Sequence, residues 1–196
     1  MRVGEEVRAY LPFDRAYVTY ELPNVFPAYS AFILQLELAN ALDSLTLSRQ
    51  QDERIKAYLA ENELLPADSL QGGVYYHRTE EGEAPEVGPD NTARVRYTGR
   101  LLDGTTFDSN TDAPNPLRVN MSERAFIPGF MSGIGAMSQQ ERGTVVLPYH
   151  QGYGANFYVM PFSIMNDLIS EGIVPSSASL GTYAPLRFDL FVEAVN

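Results

Sequence analysis

Val95-Arg96-Tyr97-Thr98-Gly99-Arg100-Leu101-Leu102-Asp103-Gly104-Thr105-Thr106-Phe107-Asp108-Ser109 is the stretch whose reading decides the fold. From Ala93 to Leu101 the pattern alternates, with Ala93, Val95, Tyr97 and Gly99 on one face and Arg94, Arg96 and Arg100 on the other. Alternation of this kind is the mark of a half-buried strand. Leu102-Asp103-Gly104 is a hairpin signal, and Thr105-Thr106-Phe107 resumes the sheet. Upstream, Gly73–His77 predicts a strand, and Val87–Asn91 a turn. Downstream, Ile127-Pro128-Gly129 opens a short helix with Phe130, Ile134 and Met137 on one apolar stripe. Gly133, Gly135 and Ala136 leave that helix room for close approach, and Thr144–Leu147 and Leu186–Val192 add strands. The sum is an α+β domain, an antiparallel sheet with one short helix against it.

Composition narrows what such a domain can do. The chain has 196 residues, 44% of them hydrophobic, with 14 Lys+Arg against 25 Asp+Glu and a net charge of −11. That balance argues against nucleic acid as a partner, because phosphate contacts need a basic face. The Arg row on the strand is accordingly expected to be a solvated face. With no cysteine, thiol nucleophiles, thiolate metal sites and disulfides are excluded. His77 and His150 are the two histidines, and neither has the companions of a metal site or a catalytic triad. The acidic cluster Glu80, Glu81, Glu83 and Glu86 sits in a turn-rich connector and reads as surface. No apolar run reaches the ~18 residues of a membrane span, and the first ten residues carry no apolar signal region.

The rest of the chain divides in two. Residues 1–38 read as strands and turns, apolar from Ser30 to Leu38. Residues 39–66 read as a helical linker, with Ser48 and Gln51 as a capping box, Ile55, Tyr58, Leu59 and Asn62 at helical spacing, and Pro66 as the stop.

The quoted stretch resembles the first signature block of the FKBP-type peptidyl-prolyl cis-trans isomerases. Ile127-Pro128-Gly129-Phe130 with Gly133 and Gly135-Ala136-Met137 looks like the second block, and Val146-Leu147-Pro148 with Gly152-Tyr153-Gly154 like the third. Leu186-Arg187-Phe188-Asp189-Leu190 looks like the closing strand. The resemblance covers residues 67–196, with a long insertion at about 155–184 in which a short helix is expected around Pro161–Ser170. It implies a twisted sheet wrapped around the helix, with an apolar pocket between. Carried over position by position, it implies catalytic roles for Tyr97, Phe107, Asp108, Ile127 and Tyr153, and substrate-binding roles for Leu117, Phe126, Phe130 and Phe188. The Ile127 N–H and the Tyr153 hydroxyl would each meet a carbonyl of the bound peptide. No cofactor and no metal is implied; the partners would be proline-containing unfolded or exposed polypeptide segments, with a macrolide as a further ligand. By resemblance the location would be periplasm or cell envelope, with cytoplasm as the alternative.

Elementary chemistry agrees with that composition. Rotation about an X–Pro amide faces a barrier of ~18–20 kcal/mol and takes roughly tens to hundreds of seconds unaided. An apolar pocket and a few fixed donors suffice to lower it; no nucleophile is needed. The sequence also departs from the family. Asn110-Thr111-Asp112-Ala113-Pro114-Asn115 supplies no basic partner for Asp108, Leu117 stands where an aromatic is common, and Phe130 replaces a Trp. Activity is therefore expected to be weakened, and a non-catalytic binding or chaperone module is the alternative reading.

The first residues repeat the last. Met1 to Tyr17 aligns with Met137 to Tyr153 at a constant offset of 136, with Leu11-Pro12 on Leu147-Pro148 and Tyr17 on Tyr153. Val18 replaces the Gly after that Tyr, and Pro27–Leu38 looks like a second closing strand matching Ala184–Val192. Residues 1–38 are thus expected to be the C-terminal half of a first FKBP-like domain, with Met1 an internal methionine of a longer protein.

Overall fold

The computed structural model describes residues 1–16, 26–155, 162–172 and 180–196. It separates into two units, Met1–Leu47 and Ser48–Asn196. In the first, strand β1 (Glu6–Leu11) pairs antiparallel with β2 (Phe32–Glu37), in register from Glu6 opposite Glu37 to Leu11 opposite Phe32. A single 3-10 turn, Phe13–Arg15, follows Pro12. Tyr17 and Val18, which bear on the repeat, lie outside the described residues.

Helix α1 (Ser44–Glu61) starts at the end of that unit and runs into the next. It begins four residues before the capping box that the sequence suggested. Asp43 is the cap: its carboxylate accepts from the Thr46 N–H at 2.9 Å and from the Thr46 hydroxyl at 2.7 Å. Gln51 is taken by tertiary contacts instead, donating to the Tyr183 carbonyl and accepting from the Tyr149 N–H. The helix stops before Pro66, where Glu63 turns to a positive φ of 57° and the Leu64 N–H reaches back to the Leu59 carbonyl.

The second unit is built on strands β3 (Asp68–Leu70), β4 (Val74–Glu80), β5 (Glu83–Glu86), β6 (Thr92–Leu101), β7 (Thr106–Ser109) and β8 (Leu117–Asn120). Helix α2 (Pro128–Ile134), β9 (Ser138–Gln139), β10 (Arg142–Leu147), helix α3 (Phe162–Ser170) and β11 (Leu186–Val195) complete it. The main sheet runs β3-β4-β10-β11-β6-β7, antiparallel throughout, with β8 beside β7 on the same edge of β6. Helix α3 falls within the expected insertion.

One sheet face carries α2 and the main core. Phe130, Ile134 and Met137 are all buried there, as their spacing predicted. A side chain at Gly133 would strike the Val145 side chain, so glycine sets how closely the helix approaches; at Gly135 the nearest atom is 3.4 Å away and no such demand exists. Each fully buried Val, Leu or Ile contributes about 1.5–3 kcal/mol. On the other face α1 lays Ile55 and Leu59 over Val146. Hydrogen bonds from Tyr75 to Asp52 and from Arg187 to Tyr58 fix it there.

The Arg row is solvated only in part: Arg94 is exposed as expected, whereas Arg96 and Arg100 meet carboxylates. Arg100 and Arg187 both pair with Asp189, and Arg96 pairs with Glu193 at 2.8 Å. Those carboxylates sit on β11, far along the chain, so no local pattern announces them. At the end of the sheet Glu141 is 1% exposed. It accepts from the Tyr76 hydroxyl at 2.5 Å, the Arg78 guanidinium at 2.6 Å and the Ser138 N–H at 2.8 Å. Burial pushes its pKa up, but these three bonds outweigh it and hold the carboxyl below the ordinary glutamate value.

Candidate functional site

Between α2 and the sheet opens a cleft of about 240 Å³, lined by Tyr97, Asp108, Leu117, Ala125, Phe126, Ile127, Phe130, Tyr153 and Phe188. Eight of the nine residues singled out in the sequence meet there. The ninth, Phe107, is behind the wall, edge-on to Tyr153 at 6.2 Å and to Phe188 at 5.7 Å between ring centres. Ala125 is an addition; a small apolar side chain leaves no chemical signature in a sequence.

The floor is aromatic. Phe130, on α2, and Phe188, on β11, are 4% and 3% exposed and meet at 5.2 Å, with Tyr97 edge-on to Phe130 at 5.5 Å. Edge-to-face packing of this kind holds rings in one orientation. Gly99 makes it fit, because a Cβ there would lie 2.7 Å from the Phe107 ring and 3.0 Å from that of Phe188. Sequence alternation put Gly99 on this face but not against these rings.

Two polar elements border the floor. The Tyr97 hydroxyl donates to Asp108 at 2.8 Å. Burial, reinforced by that carboxylate, raises the Tyr97 pKa well above its ordinary value. Burial and then the Asp108 charge raise Tyr153 also, so both remain neutral donors at physiological pH. Among the described residues no cation pairs with Asp108. The loop after Asp108 is held by other means. The Asn110 side chain accepts from the Tyr97 N–H and donates to the Val95 carbonyl, extending the ladder of β6. From the opposite face Arg96 donates to the carbonyls of Asn110 and Ala113.

The second element is a pair of donors with no partner among the described residues. Ile127 ends an extended segment at φ −60°, ψ 141°, just before Pro128 starts α2, and its N–H is unclaimed. The Tyr153 hydroxyl is likewise unclaimed. Both border the cleft.

An antiparallel sheet wrapped on one short helix, with an aromatic cleft between them, is the FKBP architecture. A model of the FKBP-type peptidyl-prolyl cis-trans isomerases matches residues 84–190, and the chain belongs to that family. It is 33% identical over 85 residues to the FK506-binding protein of Neisseria meningitidis serogroup B, covering 43% of this chain and 78% of that one. It is 28% identical over 134 residues to the FKBP-type isomerase FkpA of Aeromonas hydrophila, covering 68% of this chain and 48% of that one. The chain thus spans about half the length of this FkpA relative. Among solved structures it is similar to FkpA from Escherichia coli, with TM-score 0.56 and 19% identity over 78% of this chain and 62% of that one. A peptidyl-prolyl isomerase from Pseudomonas syringae gives TM-score 0.54 and 22% identity over 80% of this chain and 99% of that one.

Proposed function

We propose that this isomerase takes the prolyl ring of an unfolded or exposed segment onto the Phe130–Phe188 floor and lets the preceding amide twist there. The observation that carries the reading is a pair of donors, the Ile127 N–H and the Tyr153 hydroxyl, unclaimed among the described residues and at the border of an apolar cleft. A planar amide is stabilised by charge separation that water favours. The twisted amide has lost that resonance, so moving from water to a cleft walled by Phe126 and Leu117 costs it less than the planar form. Donors fixed in advance hold the flanking carbonyls without reorganising during rotation. Tyr97, itself held by Asp108, keeps the near wall in place.

A protease-coupled assay on a proline-containing peptide tests this. The Phe107→Ala, Tyr153→Ala double variant should lose about 100-fold in kcat/KM, roughly 2.7 kcal/mol of transition-state stabilisation. If the wild type is no faster than the double variant, the catalytic reading is lost and the cleft serves binding alone. An FK506-type macrolide, the ligand named for the Neisseria relative, should compete with the peptide for the same cleft.

A further inference from the structure

The β1–β2 unit repeats one part of the complete domain bond for bond. Adding 136 carries β1, Glu6–Leu11, onto β10, Arg142–Leu147, and the turn Phe13–Arg15 onto a 3-10 turn at Tyr149–Gln151. Pro12 and Pro148, before the turns, have φ, ψ of −66°, 159° and −74°, 163°; Ala16 and Gly152, after them, have −121°, −124° and −111°, −129°. Gly4 and Gln140 both take positive φ. The ladder agrees too, since Glu6–Glu37 and Leu11–Phe32 correspond to Arg142–Phe191 and Leu147–Leu186. The Gly4 N–H donates to the Leu38 carbonyl at 2.8 Å, as the Gln140 N–H does to that of Val192 at 2.7 Å. Arg2 N–H donates to the Glu5 carboxylate at 2.6 Å, as Ser138 N–H does to Glu141 at 2.8 Å.

The surroundings differ completely. In the complete copy β10 is edged by β4 and β11 by β6, α2 covers one face and α1 the other. In the first unit β1 and β2 pair with each other alone among the described residues. Leu36 is 39% exposed where its counterpart Leu190 is 3%, and Tyr10 is 71% exposed where Val146 is 0%. Glu5 is exposed, where Glu141 is buried under Tyr76 and Arg78.

We propose that residues 1–38 are the C-terminal half of a first FKBP-like domain, whose bare edges and faces dock an FKBP-type N-terminal half carried on the same polypeptide ahead of residue 1. The complete copy specifies the occupant: a strand with two hydrogen-bond donors for Glu5 along β1, a strand along β2, a short helix on Leu34 and Leu36, and a longer helix over Tyr10 and Ile33. Supply from the same polypeptide follows the complete copy, where β4, β6 and α2 all precede β10 on one chain. The proposal is independent of how the cleft works.

The coding sequence ahead of residue 1 tests it first. An in-frame extension should carry an alternating strand, an Asp-Gly-type hairpin and a Pro-Gly helix start in that order. An in-frame stop before them, or an extension without them, overturns the proposal. Hydrogen exchange then compares the extended protein with the 196-residue chain. The outward amides of β1 and β2 should exchange about 100-fold more slowly in the extended protein, and Glu5→Gln should lower one of its two melting transitions and spare the other. Equal exchange in the two proteins overturns the docking. Protection in the 196-residue chain that rises with its concentration assigns the surface to a second copy, and overturns it also.

Discussion

The hairpin of β1 and β2 and the pair β10 and β11 have the same register, the same 3-10 turn and the same carboxylate-capped corner. One is the middle of a sheet with a cleft, and the other has neither neighbouring strands nor a covering helix among the described residues. Local sequence is therefore enough to set the path of this segment. The strands and helices on either side are what convert the path into a core, and the core into a site.

Paired substitutions in the 196-residue chain sharpen the contrast, and unfolding in denaturant reads them out. The largest difference is expected at the apolar position: Leu190→Ala should cost about 3 kcal/mol, and Leu36→Ala less than about 0.5 kcal/mol. Equal costs would break the comparison. Next is the corner. Glu141→Gln should cost about 2 kcal/mol at neutral pH, because Tyr76, Arg78 and the Ser138 N–H lose a charged acceptor. Glu5→Gln should cost almost nothing there. The Glu141 gap also has a pH signature. Its folded pKa is depressed, so its contribution is complete above the unfolded value of roughly 4.3 and fades as pH falls through the lower folded value. A gap that widened on acidification would contradict this. Gly99→Ala should cost about 1–2 kcal/mol and lower kcat/KM in the isomerase assay, since the Cβ displaces Phe107 and Phe188. The smallest effect is at the helix cap, where Asp43→Ala should lower Tm slightly and Ser48→Ala leave it unchanged.

How much was legible follows from where each partner lies in the sequence. The sheet of β6 and β7 was readable because its alternation, turn and return fall within one short stretch, and α2 because Phe130, Ile134 and Met137 keep helical spacing. The start of α1 was misread because Ser48 and Gln51 match a local pattern, whereas Gln51 is claimed by Tyr149 and Tyr183 from a distant loop. Of the Arg row, the exposed Arg94 was legible, but the ion pairs of Arg96 and Arg100 were not, their carboxylates lying on β11. At the cleft the aromatic residues could be named in advance, but not that Phe107 stands behind the wall or that Asn110 and Arg96 tie down the loop after Asp108. Those are facts of tertiary contact.

The position of β11 bears on assembly. It lies between β10 and β6, yet it is the last strand of this sheet to be made, and it carries Phe188. Without β11, β6 with β7 and β8 on one side and β4 with β10 on the other share no strand pairing. The floor of the cleft does not exist until Leu186–Val195 slides between them. The cleft is therefore completed in one step, when the last strand of the sheet in chain order joins its two halves, rather than stepwise along the chain.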